Sequence, residues 1–319
     1  MAQRSNLGVD RILSRFTRFL ANERNQFVAD SVLPTAQVRA RSGKFYNLDG
    51  GFGYASPGYG LLRTSGADFR RITPDPTQVS AYEVKEYGLE GSVDDVDREL
   101  AGADALDLRE AATLQTWNRA MLEREKDYAA LMFNETTFSG RMTTLSGGTR
   151  WSTATGVPLD DVDTAANGIR QATGVPSSEL TLLCGSEVWD SLRKNANLLD
   201  AFKYTTTGAT FLAEQQVANA LGIREIIVGR GVENTANEGI TEVKADIWGD
   251  YALLYHKVDS PRPLAPHGLG ATFALAGRAA GQVERYREEP RTEVVLVSWV
   301  EDRVITTAGA GWLIKNPAS

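Results

Sequence analysis

At 319 residues, 42% of them hydrophobic, the chain has enough apolar material for one large domain or two of ordinary size, so a disordered chain is excluded. Its single cysteine, Cys184, excludes an intrachain disulfide framework, and one cysteine with two histidines leaves little beyond carboxylates for a metal centre. The formal net charge of -7 argues against a general nucleic-acid binder, yet residues 1–45 carry eight Lys and Arg against three acidic residues, a basic arm of +5 ahead of a body of -12.

The arm begins with Val9, Ile12, Leu13, Phe16, Phe19 and Leu20 at helical spacing, with Arg11, Arg15 and Arg18 on the opposite side. A helix this short is not stable alone. It fits a surface helix docked on a neighbouring element or an arm whose cationic face meets a polyanion. A mitochondrial presequence is a third reading, weakened by Asp10 and Glu23. Pro34 ends the arm. Residues 35–78 change character. Phe45, Tyr46, Phe52, Tyr54 and Tyr59 are interleaved with glycines, which suits a long protruding β-hairpin, and exposed aromatics on such a hairpin call for a partner to cover them. A phosphate-binding loop is not expected, because no G-x-x-x-x-G-K-[ST] pattern follows a strand.

Residues 79–93 alternate as a strand. The acidic run Asp94, Asp95, Asp97, Glu99 lacks the spacing of a calcium loop and reads as a solvated turn. From Asp107 to Phe133 no Pro or Gly interrupts the chain, and Leu114, Trp117, Met121, Tyr128 and Leu131 share one face, so one amphipathic helix of ~40 Å is expected, capped by Asp107 and Glu110. Its apolar face should pack on the strands at 79–93 and 294–305. After a Gly/Ser/Thr connector at 139–149 the pattern alternates between α and β. Helices are expected at 162–172, 186–194 and 211–221, strands at 180–184, 223–228 and 245–255, and a strand pair at 294–300 and 302–305.

No catalytic, cofactor-binding or metal-ligating constellation is expected. His256 and His267 have no motif-level partner, and adjacent carboxylates such as Glu288 and Glu289 occur in any acidic protein. No run approaches the ~18 apolar residues of a membrane span, and the N-terminus has no signal-peptide core, so a soluble chain made inside the cell is expected, without a membrane partner.

Several blocks carry a resemblance: EYGLEGSVDD (86–95), SEVWDSLRKNANLLDAFKY (186–204) with its terminal KYTTTGAT (203–210), LGIREIIVGRGVENTANEG (221–239), DIWGDYALLYH (246–256) and RYREEPRTEVVLVSWVEDRVITTAGAGWLI (285–314). In this order they resemble the major capsid proteins of tailed bacteriophages, whose fold is shared with herpesvirus shell proteins and encapsulins. The resemblance implies an α+β capsid fold: an N-terminal arm (1–34), an extended β-hairpin loop (35–78), a peripheral domain with a spine helix (79–150 and 281–319, spine 107–133) and an α/β axial domain (151–280). It also implies a structural, non-enzymatic protein that self-assembles as pentamers and hexamers into an icosahedral head shell around double-stranded DNA, assembled in the bacterial host cytoplasm and retained in the virion. The implied partners are further copies of the chain, a separate scaffolding protein, a portal protein, a decoration protein in some shells, and packaged DNA, bound without sequence preference through Arg11, Arg15 and Arg18. Two rivals stand beside this reading: an encapsulin-type compartment and, from another class, a soluble α/β enzyme.

Overall fold

The computed structural model describes residues 27–46, 62–63, 65–66, 68, 79–96, 99, 105–202, 213–236, 241–259, 261, 268–277, 282–288 and 292–318. In chain order its elements are helix α1 (Ala29–Val32), strands β1 (Thr35–Val38), β2 (Ser42–Tyr46), β3 (Val79–Glu83) and β4 (Lys85–Asp94), helix α2 (Ala105–Met132), β5 (Met142–Thr144), α3 (Pro158–Thr173), β6 (Leu180–Gly185), α4 (Ser186–Lys194), α5 (Ala196–Phe202), α6 (Glu214–Ala220), β7 (Glu225–Gly229), β8 (Val232–Asn234), β9 (Lys244–Asp246), β10 (Tyr251–His256), β11 (Gly270–Leu275), β12 (Gln282–Glu288), β13 (Thr292–Ile305) and β14 (Gly311–Lys315). The fold is α+β.

Two five-stranded sheets organise it. In the first, β1, β11, β13 and β12 follow one another and β4 also pairs with β13; the second runs β5, β14, β10, β6, β7. The run LTLLC in β6 is buried at every position because both faces of that sheet are covered. Leu182 and Cys184 meet Val162 and Ile169 of α3, Val188 and Leu192 of α4 and Val217 of α6. Leu183, on the opposite face, meets Tyr128 and Met132 of α2, together with Leu253 and Leu313. Pro158 opens α3, and Gly174 closes it at φ 75°, a left-handed cap that costs glycine nothing.

Helix α2 spans both sheets. Trp117, Ala120 and Met121 pack on Val283, Val295, Val297 and Trp299 of the first sheet. About two turns later Tyr128, Ala129 and Met132 pack on the second. The apolar face expected to lie wholly on strands 79–93 and 294–305 is therefore shared, because the stripe is long enough to reach past the edge of one sheet. Helix α2 also starts at Ala105, so Asp107 falls within its first turn and is not its N-cap.

Other expectations change too. The segment 79–93 is two strands, β3 and β4, parted at the buried Val84. The strand pair expected at 294–305 is one strand of 14 residues. The break expected at residue 301 does not occur, because Glu301 is buried and neutralised by arginines, and next to it Asp302 accepts a hydrogen bond from the Glu83 amide. The pairing also cuts across the expected domain ranges. Strand β1 runs parallel to β11, and β14 joins β10 and β5. Segments assigned to the hairpin and the peripheral part thus complete the opposite sheets.

Strands β2 and β3 pair antiparallel from Ser42↔Glu83 to Tyr46↔Val79, forming the base of the expected hairpin. Phe45 does not project for a neighbour. It is 1% exposed, stacked at 5.3 Å on Phe273, which Tyr82 also stacks against at 4.5 Å. Alternation along β2 turns this ring inward, where it fills a core of Ala36, Val38, Val84 and Val300.

Candidate functional site

Polar contacts between segments far apart in sequence fix parts of the fold relative to one another. They converge on one turn of α2, Arg124-Glu125-Lys126-Asp127. Successive helical residues point about 100° apart, so four consecutive charged side chains can reach four different neighbours. Arg124 forms a two-pronged bond to Glu301 of β13 through Nε and NH2, both at 3.0 Å, and reaches Asp30 of α1 at 2.7 Å. Lys126 meets Glu233 of β8 at 2.8 Å, and Asp127 meets Arg303 of β13 at 2.8 Å. Arg303 returns to Glu301 at 3.0 Å, closing a chain of charges from Asp127 to Asp30.

Glu125 binds differently. Its carboxylate accepts hydrogen bonds from the amides of Val28 (3.1 Å to each oxygen) and Ala29 (2.9 Å), and from the indole N–H of Trp248 (2.7 Å). Helix α1 has no side-chain cap of its own, since Val28 occupies that position. A residue 97 positions away supplies the missing acceptor.

Tyr128 sits in the middle of this network. The Arg124 and Arg303 guanidinium groups each lie 5.1 Å from its ring centroid, and its hydroxyl is 2.7 Å from Thr272 of β11.

The electrostatics follow from burial. The Arg124 side chain is 3% exposed and Glu301 2%, so each buried charge needs opposite charge beside it. Burial alone would lower the Arg124 guanidinium, but Tyr128, Glu301 and Asp30 outweigh it and hold it above its ordinary value. Burial pushes the Tyr128 hydroxyl up to about 12. Burial also raises the Glu125 carboxyl, against the opposing pull of its Val28, Trp248 and Ala29 hydrogen bonds and of Arg124.

Of the residues singled out in the sequence, Trp117, Met121 and Tyr128 are buried on α2, while Leu114 and Leu131 are half-buried. Arg11, Arg15, Arg18, Phe52, Tyr54 and Tyr59, and the side chain of Tyr46, lie outside the described residues. The sequence reading missed Arg124 and Glu125, although a signal existed. Met121 and Tyr128 define the apolar stripe, and positions 124 and 125 fall inside it, three and four residues from each. A charge within a buried stripe implies a buried partner. Beside the C-terminal half of α2, an open cleft of about 290 Å³ is lined by Phe133, Trp248 and Tyr251 with the Lys126–Glu233 pair. Among the described residues no group of three or more His, Cys, Asp and Glu is placed to hold a metal ion, and no helix is long and apolar enough to cross a membrane.

Comparison with known proteins accords with this architecture. Residues 139–248, from the connector after α2 to Trp248, match the family model of phage major capsid protein E. The major capsid protein of Pseudomonas phage JBD67 is 25% identical over 309 residues, covering 93% of this chain and 94% of the relative. A phage-related protein from Bordetella bronchiseptica shares the fold at a TM-score of 0.73 and 22% identity, over 99% of both chains. The mature capsid of bacteriophage PhiM1 superposes at 0.54 with 12% identity, covering 90% of this chain and 86% of that one. A virus-like particle from Pyrococcus furiosus superposes at 0.55 with 11% identity, covering 96% and 99%. The resemblance read from the sequence thus holds in both respects: the chain has the capsid fold of tailed phages and is similar in sequence to a phage major capsid protein over nearly its whole length.

Proposed function

We infer that this chain is a phage major capsid protein, a subunit that associates with copies of itself to build the shell of the head. The observation that carries this is the near-full-length similarity to a major capsid protein in a chain that adopts the capsid fold. The structural role accounts for a molecule whose conspicuous buried charges brace segments against one another.

Finer readings are part of the same proposal. The shell is icosahedral, built of pentamers and hexamers, and encloses double-stranded DNA. It is assembled in the host cytoplasm with a separate scaffolding protein and a portal, and some shells take a decoration protein. The first sheet with the N-terminal half of α2 is the peripheral part, and the second sheet with α3 to α6 is the axial part. The aromatics Tyr46, Phe52, Tyr54 and Tyr59 meet a neighbouring subunit. Arg11, Arg15 and Arg18 face packaged DNA, which is uniformly anionic and needs only non-specific neutralisation.

Expressed with its scaffolding protein, the chain should form closed shells in electron micrographs. A chain that stays monomeric under those conditions overturns the proposal. An encapsulin-type compartment is the weaker reading, and heads purified from phage-producing cells separate the two: absorbance dominated by nucleic acid supports the phage shell, and a protein cargo without nucleic acid overturns it.

A further inference from the structure

We propose that Arg124 and Glu125 form a releasable latch that holds the base of the N-terminal arm, residues 27–31, against the spine helix, with the hinge at Ser31–Val32. The contacts on the two sides of that hinge differ in kind. Beyond it the chain is held from several directions. Val32 and Leu33 are 0% and 1% exposed, the Tyr255 hydroxyl donates to the Val32 carbonyl at 2.7 Å, the Thr272 amide donates to the Pro34 carbonyl at 3.0 Å, and β1 pairs with β11.

Before the hinge, among the described residues, the long-range polar contacts all go to two consecutive residues of α2. Glu125 takes the amides of Val28 and Ala29, and Arg124 takes the Asp30 carboxylate. Apolar support is partial. Ala29 is buried in the cluster with Tyr128 and Met132, while Val28 and Phe27 are half-buried, packed at the margins of that cluster and of the Trp117–Met121 cluster.

Helix α1 is a single turn, and without the Glu125 acceptor its first amides have no intrahelical partner. Loss of the latch therefore unwinds α1 and frees the arm base while leaving the ladders of both sheets intact. Because Glu125 also holds Trp248, the arm base is tied through one carboxylate to the turn that ends in β10. Release of residues 27–31 is thereby coupled to that turn.

Hydrogen exchange on the unassembled full-length chain tests the latch. In Glu125→Ala, a peptide covering 27–31 should exchange about tenfold faster, while peptides in β6 and β13 change by less than about twofold. Asp30→Asn is the milder variant. Asp30 is 76% exposed, so its replacement is compatible with folding, and it should accelerate 27–31 by about threefold, with Asp30→Glu restoring protection. Uniform acceleration across the chain, or none at 27–31 in Asp30→Asn, overturns the latch. Failure to form shells sinks the capsid reading and leaves this result standing, since exchange is read before assembly.

Discussion

At the scale of single residues, Arg124 and Glu125 illustrate how differently two buried charges can be satisfied. Arg124 is neutralised by another buried charge. Arg124→Ala would leave the buried Glu301 carboxylate with Arg303 as its one remaining cationic partner among the described residues, and a loss of about 2–4 kcal/mol in denaturant unfolding is expected, against about 0–1 kcal/mol for Lys126→Ala, whose pair with Glu233 is partly exposed. Equal losses in the two variants would contradict this ordering.

Glu125 has hydrogen-bond donors around it, with Arg124 beside it on the helix and Asp30 beyond. Burial leads the factors raising its carboxyl. The latched form therefore binds a proton more tightly than a released form in which the carboxyl meets water. As pH falls from neutral toward the ordinary carboxylate range, the latched form is favoured, and as pH rises through the raised value that advantage is lost. Protection of the Val28 and Ala29 amides, corrected for intrinsic exchange chemistry, should accordingly increase on acidification; a decrease would show that the hydrogen bonds outweigh desolvation. Neither residue's partner was legible in the sequence. The stripe positions mark 124 and 125 as inward, but Glu301 lies 177 residues away, and no local pattern links the two.

At the scale of elements, the legible parts were those whose burial is periodic and local. Helix α4 occupies the expected residues with Val188, Trp189 and Leu192 buried, and β6 follows its continuous apolar run. Strand β13 was expected as two strands because a charged residue at 301 resembles a break when the arginines that neutralise it are unknown. The hairpin was half legible. Alternation reveals that β2 has an inner face, but the composition of aromatics does not say which ring occupies it. Phe45→Ala should cost about 3–5 kcal/mol of chain stability, measured by denaturant unfolding, because it empties a site against Phe273 and Tyr82. If Phe45 instead served a neighbour, the isolated chain would keep its stability and only assembly would suffer.

At the scale of the whole molecule, the chain order of segments was readable while their grouping into sheets was not. Parallel pairing of β1 with β11 joins residues more than two hundred positions apart, and β14 enters the second sheet between the nearer β10 and the more remote β5. Such pairings are decided by which edges remain free once the local elements exist.

One of these remote arrangements has a mechanical meaning. Strand β13 changes neighbours along its length: residues 292–298 lie between β4 and β12, β4 continues alongside as far as Glu301, and residues 301–305 carry β11, which in turn holds β1. Tension applied at the β4 and β12 end runs lengthwise down covalent backbone to the β11 end. There it meets antiparallel rungs that are loaded together in shear and are not opened one after another. Within the subunit, β13 is thus a tension member, and the root of the arm hangs from its far end.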